Sequence, residues 1–192
     1  MKLVDIQKNF FSSLDIVVKG IDEAGSSLYS EKYDAGIEAY SIMCVIPAGL
    51  GSLYEYSSAF KDILPGVLDS KTNAICFVSL KMKSGSVIDE HYDMSINEYI
   101  KSPVPILPVS TTIIYLNIPP DMDGGQLYIR DGKVVQYVTP ESNMKVKFSG
   151  KLLHGVTQVN SNTIREMIVI EQYTVPQYKL AGLSNNLIIS AG

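Results

Sequence analysis

Apolar positions recur at helical intervals through much of the first third of the chain. From about Asn73 they instead alternate, or run together in short blocks separated by turn residues. Phe10, Phe11, Leu14 and Val18 stand at helical spacing around polar positions, which predicts an amphipathic helix over about Val4 to Val18. Gly20 to Ser30, with its glycines and serines, reads as a turn region. Ile37 to Ile46 has the β-branched and aromatic content of a strand, closed by Pro47-Ala48-Gly49. Tyr54 to Leu68 returns to a helical period through Tyr56, Phe60, Ile63 and Leu64, until Pro65-Gly66 stops or kinks it.

The remainder reads as a succession of short strands, the pattern of a β-sandwich or barrel. Ala74 to Met82 is a strand, Lys83 to Ser86 a turn, and Val87 to Tyr92 an alternating strand. Met94 to Ser110 holds Pro103, Pro105 and Pro108 and cannot run through as a regular element, so it is expected as a long loop over one mouth of the barrel. Strands follow at Thr111 to Ile118 and Gln126 to Arg130, with a turn over Pro119 to Gly125 between them. Asp131-Gly132 is a hairpin signal leading into Val134 to Val138. After a loop at Pro140 to Asn143, strands are expected at Lys145 to Phe148, Gly155 to Val159 and Arg165 to Tyr173, the last two joined by the turn Asn160-Ser161-Asn162.

At 192 residues the chain fits one domain, with a strand-rich part over about 74–175 and a supporting N-terminal part over about 1–73. Sixteen basic against twenty acidic residues give a net charge of −4, and no run of Lys and Arg interleaved with aromatics occurs. That balance argues against nucleic acid as a partner. Asp5, Gln7 and Lys8 interrupt the N-terminal apolar residues, and no stretch approaches membrane-spanning length, so the expectation is a cytoplasmic protein with no membrane partner. Cys44 and Cys76 sit in the apolar runs SIMCVIP and AICFVSL and are expected as buried thiols. The oligomeric state is not legible.

The chemistry concentrates on few residues. His91 and His154 are the only histidines and Arg130 and Arg165 the only arginines. His91 is followed two positions later by Asp93, and i and i+2 side chains share one face of a strand. Two imidazoles and one carboxylate are the parts of a metal site that leaves coordination positions open, and a ferrous ion so held keeps room for a bidentate co-substrate and dioxygen.

The ordered set His91-Tyr92-Asp93, Thr111 to Asn117 (TTIIYLN), Gly124-Gly125-Gln126-Leu127, Phe148-Ser149-Gly150, His154-Gly155-Val156 and Arg165 resembles the Fe(II)- and 2-oxoglutarate-dependent dioxygenases, in particular the prolyl-hydroxylase-like group. The resemblance covers about Ala74 to Tyr173. It implies an α+β, mainly β fold: a double-stranded β-helix, or jelly-roll/cupin-like barrel, with supporting N-terminal helices. It implies His91, Asp93 and His154 as the iron ligands, Arg165 as the partner of the distal carboxylate of 2-oxoglutarate, and Tyr115 as a hydroxyl donor to the same carboxylate. It further implies Fe(II), 2-oxoglutarate and O2 as cofactor and co-substrates, with succinate and CO2 released as an unactivated C–H bond is hydroxylated.

The implied substrate is a small molecule, an amino acid or peptide-like metabolite. The competing expectations are a peptidyl-prolyl or other protein hydroxylase and a non-catalytic, cupin-like metal-binding barrel. The loop after the first ligand pair places Tyr99 and Lys101 as candidate substrate residues, against the alternative that this segment packs outside the sheet.

Overall fold

The structure is a computed structural model that describes residues 2–26, 28–31, 36–183 and 185–191. Its strands, in chain order, are β1 (Val4–Lys8), β2 (Ser30–Glu31), β3 (Ile37–Val45), β4 (Ala74–Met82), β5 (Ile88–His91), β6 (Ser110–Asn117) and β7 (Asp123–Gly124). They continue as β8 (Leu127–Asp131), β9 (Val134–Val138), β10 (Met144–Phe148), β11 (Leu153–Val156), β12 (Val159–Asn160), β13 (Arg165–Tyr173) and β14 (Leu187–Ala191). A major antiparallel sheet runs β1-β10-β6-β13-β4-β3-β14, with β2 paired to β3, and a minor sheet runs β5-β11-β8-β9.

The major sheet is covered on both faces, which explains why β3, β4, β6 and β13 read as nearly continuous apolar runs. On one face Ile42, Phe77, Ile114, Ile168 and Ile170 pack against helices α1 (Leu14–Gly25), α2 (Leu50–Tyr56) and α3 (Ala59–Ile63) through Val17, Ile21, Leu53, Phe60 and Ile63. On the other face Val78, Leu80, Ile113, Met167 and Val169 meet Leu127, Ile129 and Val156 of the minor sheet. The result is a mainly β jelly roll, two antiparallel sheets enclosing an apolar interior, with helices supporting the outside.

Several expected elements change. Val4 to Val18 is not one helix: Val4–Lys8 pairs with β10 from Val4↔Phe148 to Lys8↔Met144. Asn9 then takes a left-handed φ of 51°, which no helix passes through, and α1 starts only at Leu14. That helix runs on to Gly25, through the expected turn region, and Gly25 is required there because a Cβ would lie 2.1 Å from the Tyr40 ring. The proline-broken loop carries one short helix, α4 (Asn97–Ile100), ended by Lys101 at φ 43°. The strand expected over Gly155 to Val159 is divided into β11 and β12, so His154 lies inside a strand rather than before one. A final helix, α5 (Gln177–Leu180), leads to β14, which pairs with β3. Cys44 and Cys76 are buried thiols outside any disulfide among the described residues, and burial pushes the Cys44 pKa up to about 12. No described helix is long and apolar enough to cross a membrane.

Candidate metal centre and anion site

The first histidine owes its direction to a bulge. His154↔His91 and Val156↔Ile88 are register partners, so β5 uses three steps where β11 uses two. Residues three apart on a regular strand face opposite ways. The extra residue at Asp89-Glu90 lets Ile88 and His91 both face the interior, the usual service of a bulge beside a site. His91 then stands directly across the ladder from His154, with ring centroids 4.5 Å apart, and Phe148 of β10 packs edge-on against His154 at 4.9 Å.

The three candidate ligands present one atom each. His91 Nδ1 lies 2.8 Å from the Asp89 carbonyl and His154 Nδ1 lies 3.2 Å from the Leu152 carbonyl. A carbonyl only accepts, so both rings carry a proton on Nδ1 and turn Nε2 toward Asp93, the nitrogen left to a metal ion. Asp93 sits just past β5, buried, and its Oδ2 accepts a 2.6 Å hydrogen bond from Thr111 Oγ1. Its free Oδ1 is 3.6 Å from His91 Nε2 and 3.4 Å from His154 Nε2. The ligand atoms of His91, Asp93 and His154 all lie within 4.8 Å of one another, a span that one metal ion can bridge. Burial opposes the charge on Asp93, yet bonds from His154, His91 and Thr111 hold its pKa below the usual carboxylate range. The middle residue of the set is therefore an ionised carboxylate between two imidazoles, fit for a divalent cation.

A second feature lies deeper in the barrel. Arg165 opens β13 with no exposed surface, donates from Nη1 to the Gly125 carbonyl at 2.6 Å, and approaches Met167 Sδ from Nη2 at 3.3 Å. Gly124 and Gly125 take φ of +71° and +63°, and a Cβ on Gly125 would sit 3.1 Å from Nη1, so this turn gives the guanidinium both an acceptor and room. Tyr115 Oη and Arg165 Nε are buried without hydrogen-bond partners, and among the described residues no carboxylate pairs with Arg165. A buried cation with no counter-charge is costly, and burial lowers its pKa. The pair fits an incoming carboxylate, which supplies the missing charge and two acceptors.

Beside the metal centre is a pocket of about 480 Å³, whose wall includes Met167, the residue that Arg165 Nη2 approaches. Its walls are apolar, with Val78, Leu80, Ile113, Leu127 and Met167 among them, and His91, Asp93 and His154 open into it. The loop after Asp93 contributes Met94, Ser95, Asn97, Glu98 and Pro105. Tyr99 and Lys101 are not brought to the wall: the Tyr99 hydroxyl bonds to Ser41 and Ser190 and its ring packs on the cluster around Met43 and Tyr173, while Lys101 is exposed. Sequence reasoning missed Glu171, a buried carboxylate on the pocket wall that accepts from Ser95 and Tyr173. Its signal was available as the charged residue inside the apolar run MIVIEQY.

No protein-family model matches the chain, and no curated protein matches it. Solved structures do. The chain is similar to a prolyl-4-hydroxylase of Pseudomonas putida, with a TM-score of 0.59 at 17% identity over 90% of this chain and 93% of that one. It is similar to an oxidoreductase of the 2OG-Fe(II) oxygenase family from Burkholderia pseudomallei, at 0.59 and 16% over 90% and 84%. A viral collagen prolyl hydroxylase from Paramecium bursaria Chlorella virus-1, solved with 2OG, gives 0.53 and 14% over 91% and 97%. At such identities the likeness establishes the jelly-roll fold.

Proposed function

We propose that this protein is an Fe(II)- and 2-oxoglutarate-dependent oxygenase that hydroxylates an unactivated C–H bond of a small amino-acid or peptide-like substrate. The observation that carries the reading is the presence of two unlike sites in one barrel, one opening into the pocket and the other behind its wall residue Met167. Three ligand atoms converge on its wall, and a buried guanidinium without a counter-charge stands behind it. The similar structures from P. putida, B. pseudomallei and the Chlorella virus, two prolyl hydroxylases and a 2OG-Fe(II) oxygenase family member, support the same assignment.

In this reading His91 and His154 hold Fe(II) through Nε2, with their Nδ1 protons fixed by backbone carbonyls, and Asp93 holds it through Oδ1. Arg165 and Tyr115 receive the distal carboxylate of 2-oxoglutarate. Met167 stands between them and the pocket, and an unbranched thioether side chain is able to turn aside as the acid enters. The bound iron, with 2-oxoglutarate and O2, supplies the oxidising chemistry, releasing succinate and CO2. The chain itself orients the reactants and keeps water from the apolar pocket.

A pocket of about 480 Å³ is of the size that encloses a small ligand. Tyr92 and Met94, half exposed at its rim, favour a second reading, in which an extended peptide crosses the mouth. The test is succinate formation from 2-oxoglutarate by the Fe(II)-loaded protein, scored by mass change against parallel panels of free amino acids and peptides. His154→Ala must abolish both metal binding and turnover. Succinate formation that persists without added Fe(II) or in that variant would sink the assignment.

A further inference from the structure

Glu171 occupies a position the oxygenase reading leaves unexplained. It is 2% exposed, lies on the pocket wall and belongs to the major sheet, whereas the three candidate ligands lie on or just past strands of the minor sheet. Two of its three hydrogen bonds come from one residue. Ser95 N–H donates to Oε2 at 3.1 Å and Ser95 Oγ donates to Oε1 at 2.6 Å, while Tyr173 Oη, on the same strand, donates to Oε2 and steadies the carboxylate. Ser95 is two residues beyond Asp93.

The register adds the second half. Glu171 of β13 faces Thr111 of β6 directly across the ladder, and Thr111 is the residue whose hydroxyl bonds Asp93 Oδ2. Two neighbouring side chains of the major sheet thus grip the chain at two nearby points, the carboxylate of Asp93 and both polar groups of Ser95. The turn between them has no strand partners of its own, since β5 ends at His91. Without these grips Asp93 would depend on a loop; with them it is referred to the most buried strands of the fold.

We propose that Glu171 is a positioning residue for the metal centre, clamping Ser95 so that Asp93, held beside it by Thr111, keeps Oδ1 turned toward the two imidazoles. The inference rests on the reading of His91, Asp93 and His154 as metal ligands. It is a geometric role, so a neutral side chain with the same bonding capacity must fulfil it. Glutamine does so: its oxygen accepts from Ser95 N–H and Tyr173, and its amide donates to Ser95 Oγ with the hydroxyl reversed.

The experiment titrates Co(II) alone into the full chain by calorimetry and records the visible spectrum of the loaded protein. Loss of an outer hydrogen-bond partner costs roughly 10–100-fold in metal affinity. Glu171→Ala should fall in that range with an altered spectrum, while Glu171→Gln stays near wild type in both. The Ala change in an Asp93→Ala background should produce little further loss, because the residue it acts through is gone. Should Glu171→Ala fail to fold, Ser95→Ala removes one grip from the loop side. It should weaken Co(II) severalfold while the metal-free protein still melts in one cooperative transition, lowered only by the lost hydrogen bond.

Wild-type affinity in Glu171→Ala or in Ser95→Ala overturns the proposal. An equal loss in Glu171→Gln and Glu171→Ala overturns it as well, since charge would then be what matters. Failure of the wild-type protein to bind Co(II) refutes the metal-site reading itself, a different result from normal binding that ignores residue 171.

Discussion

The guanidinium of Arg165 lies over the ring of Tyr115, 5.2 Å from its centroid, and both side chains are fully buried. The ring face offers the cation some compensation, but less than a carboxylate would. Removing such a charge relieves a desolvation cost. Arg165→Met is therefore expected to leave the metal-free protein as stable as wild type or more so, while 2-oxoglutarate binding weakens by about 2–5 kcal/mol. At a hundredfold excess over Kd, the acid should stabilise the wild-type protein by about 2.7 kcal/mol. Melting curves with Co(II), with and without 2-oxoglutarate, read both effects; a variant still stabilised by the acid would place the anion site elsewhere.

Burial, reinforced by the nearby Asp93 charge, raises the Glu171 pKa from 4.5 to about 8. A raised carboxyl pKa means that the folded state retains a proton the unfolded chain has released. Stability from this group is complete below about 4.5 and is lost as pH rises toward about 8. Denaturant melts of metal-free protein should show stability falling across that window, by at most about 1.4 kcal/mol per pH unit from this group. Glu171→Gln should flatten that fall. A bound divalent cation offsets the Asp93 charge, so adding Co(II) should reduce the slope in the wild-type protein. Identical pH profiles for wild type and Glu171→Gln would remove this residue from the account.

Gly155 separates strands that must lie close. A Cβ there would sit 2.6 Å from the Ile88 carbonyl and 2.4 Å from the Tyr128 hydroxyl. The first is backbone, so β5 and β11 would have to part. Gly155→Ala is expected to cost about 1–3 kcal/mol as an overpacking change. It should also weaken Co(II) binding, because the ladder it opens is the one that sets His91 opposite His154. Unchanged calorimetry would show that the imidazoles do not depend on this spacing.

The strands were legible where burial on both faces left an apolar run: Ala74–Met82 and Arg165–Tyr173 carry the boundaries their residues predict, as does Val134–Val138, which the Asp131-Gly132 hairpin signal marks instead. The N-terminal edge strand was not. Val4–Lys8 exposes four of its five residues, so it shows little period, and its pairing with β10 spans most of the chain. The candidate ligands follow from residue type and order, but the bulge that turns His91 inward depends on the register with β11. Glu171 stands out in its run, yet its partner Ser95 is brought to it only by the packing of the loop on the major sheet.

That loop carries the last prediction. Asn97 donates from Nδ2 to the Met94 and Ile106 carbonyls, and its Oδ1 accepts from Ile106 N–H at 2.9 Å, so one side chain staples the two ends of the segment. Asn97 and its neighbour Glu98 line the pocket, whereas Tyr99 is anchored to Ser41 and Ser190 and Lys101 faces solvent. If the segment closes over substrate, the staple is what shapes it. Asn97→Ala should lose about 0.5–1.5 kcal/mol for each hydrogen bond that is not replaced by water. It should leave Co(II) affinity near wild type and raise the fraction of 2-oxoglutarate consumed without product, because a loosened wall admits water. Lys101→Ala should change neither quantity. Tyr99→Phe deletes a hydroxyl on the far side of the segment, so its effect should appear in melting temperature rather than in coupling. Loss of coupling in Lys101→Ala with none in Asn97→Ala would reverse the assignment and return specificity to the outer residues of the loop.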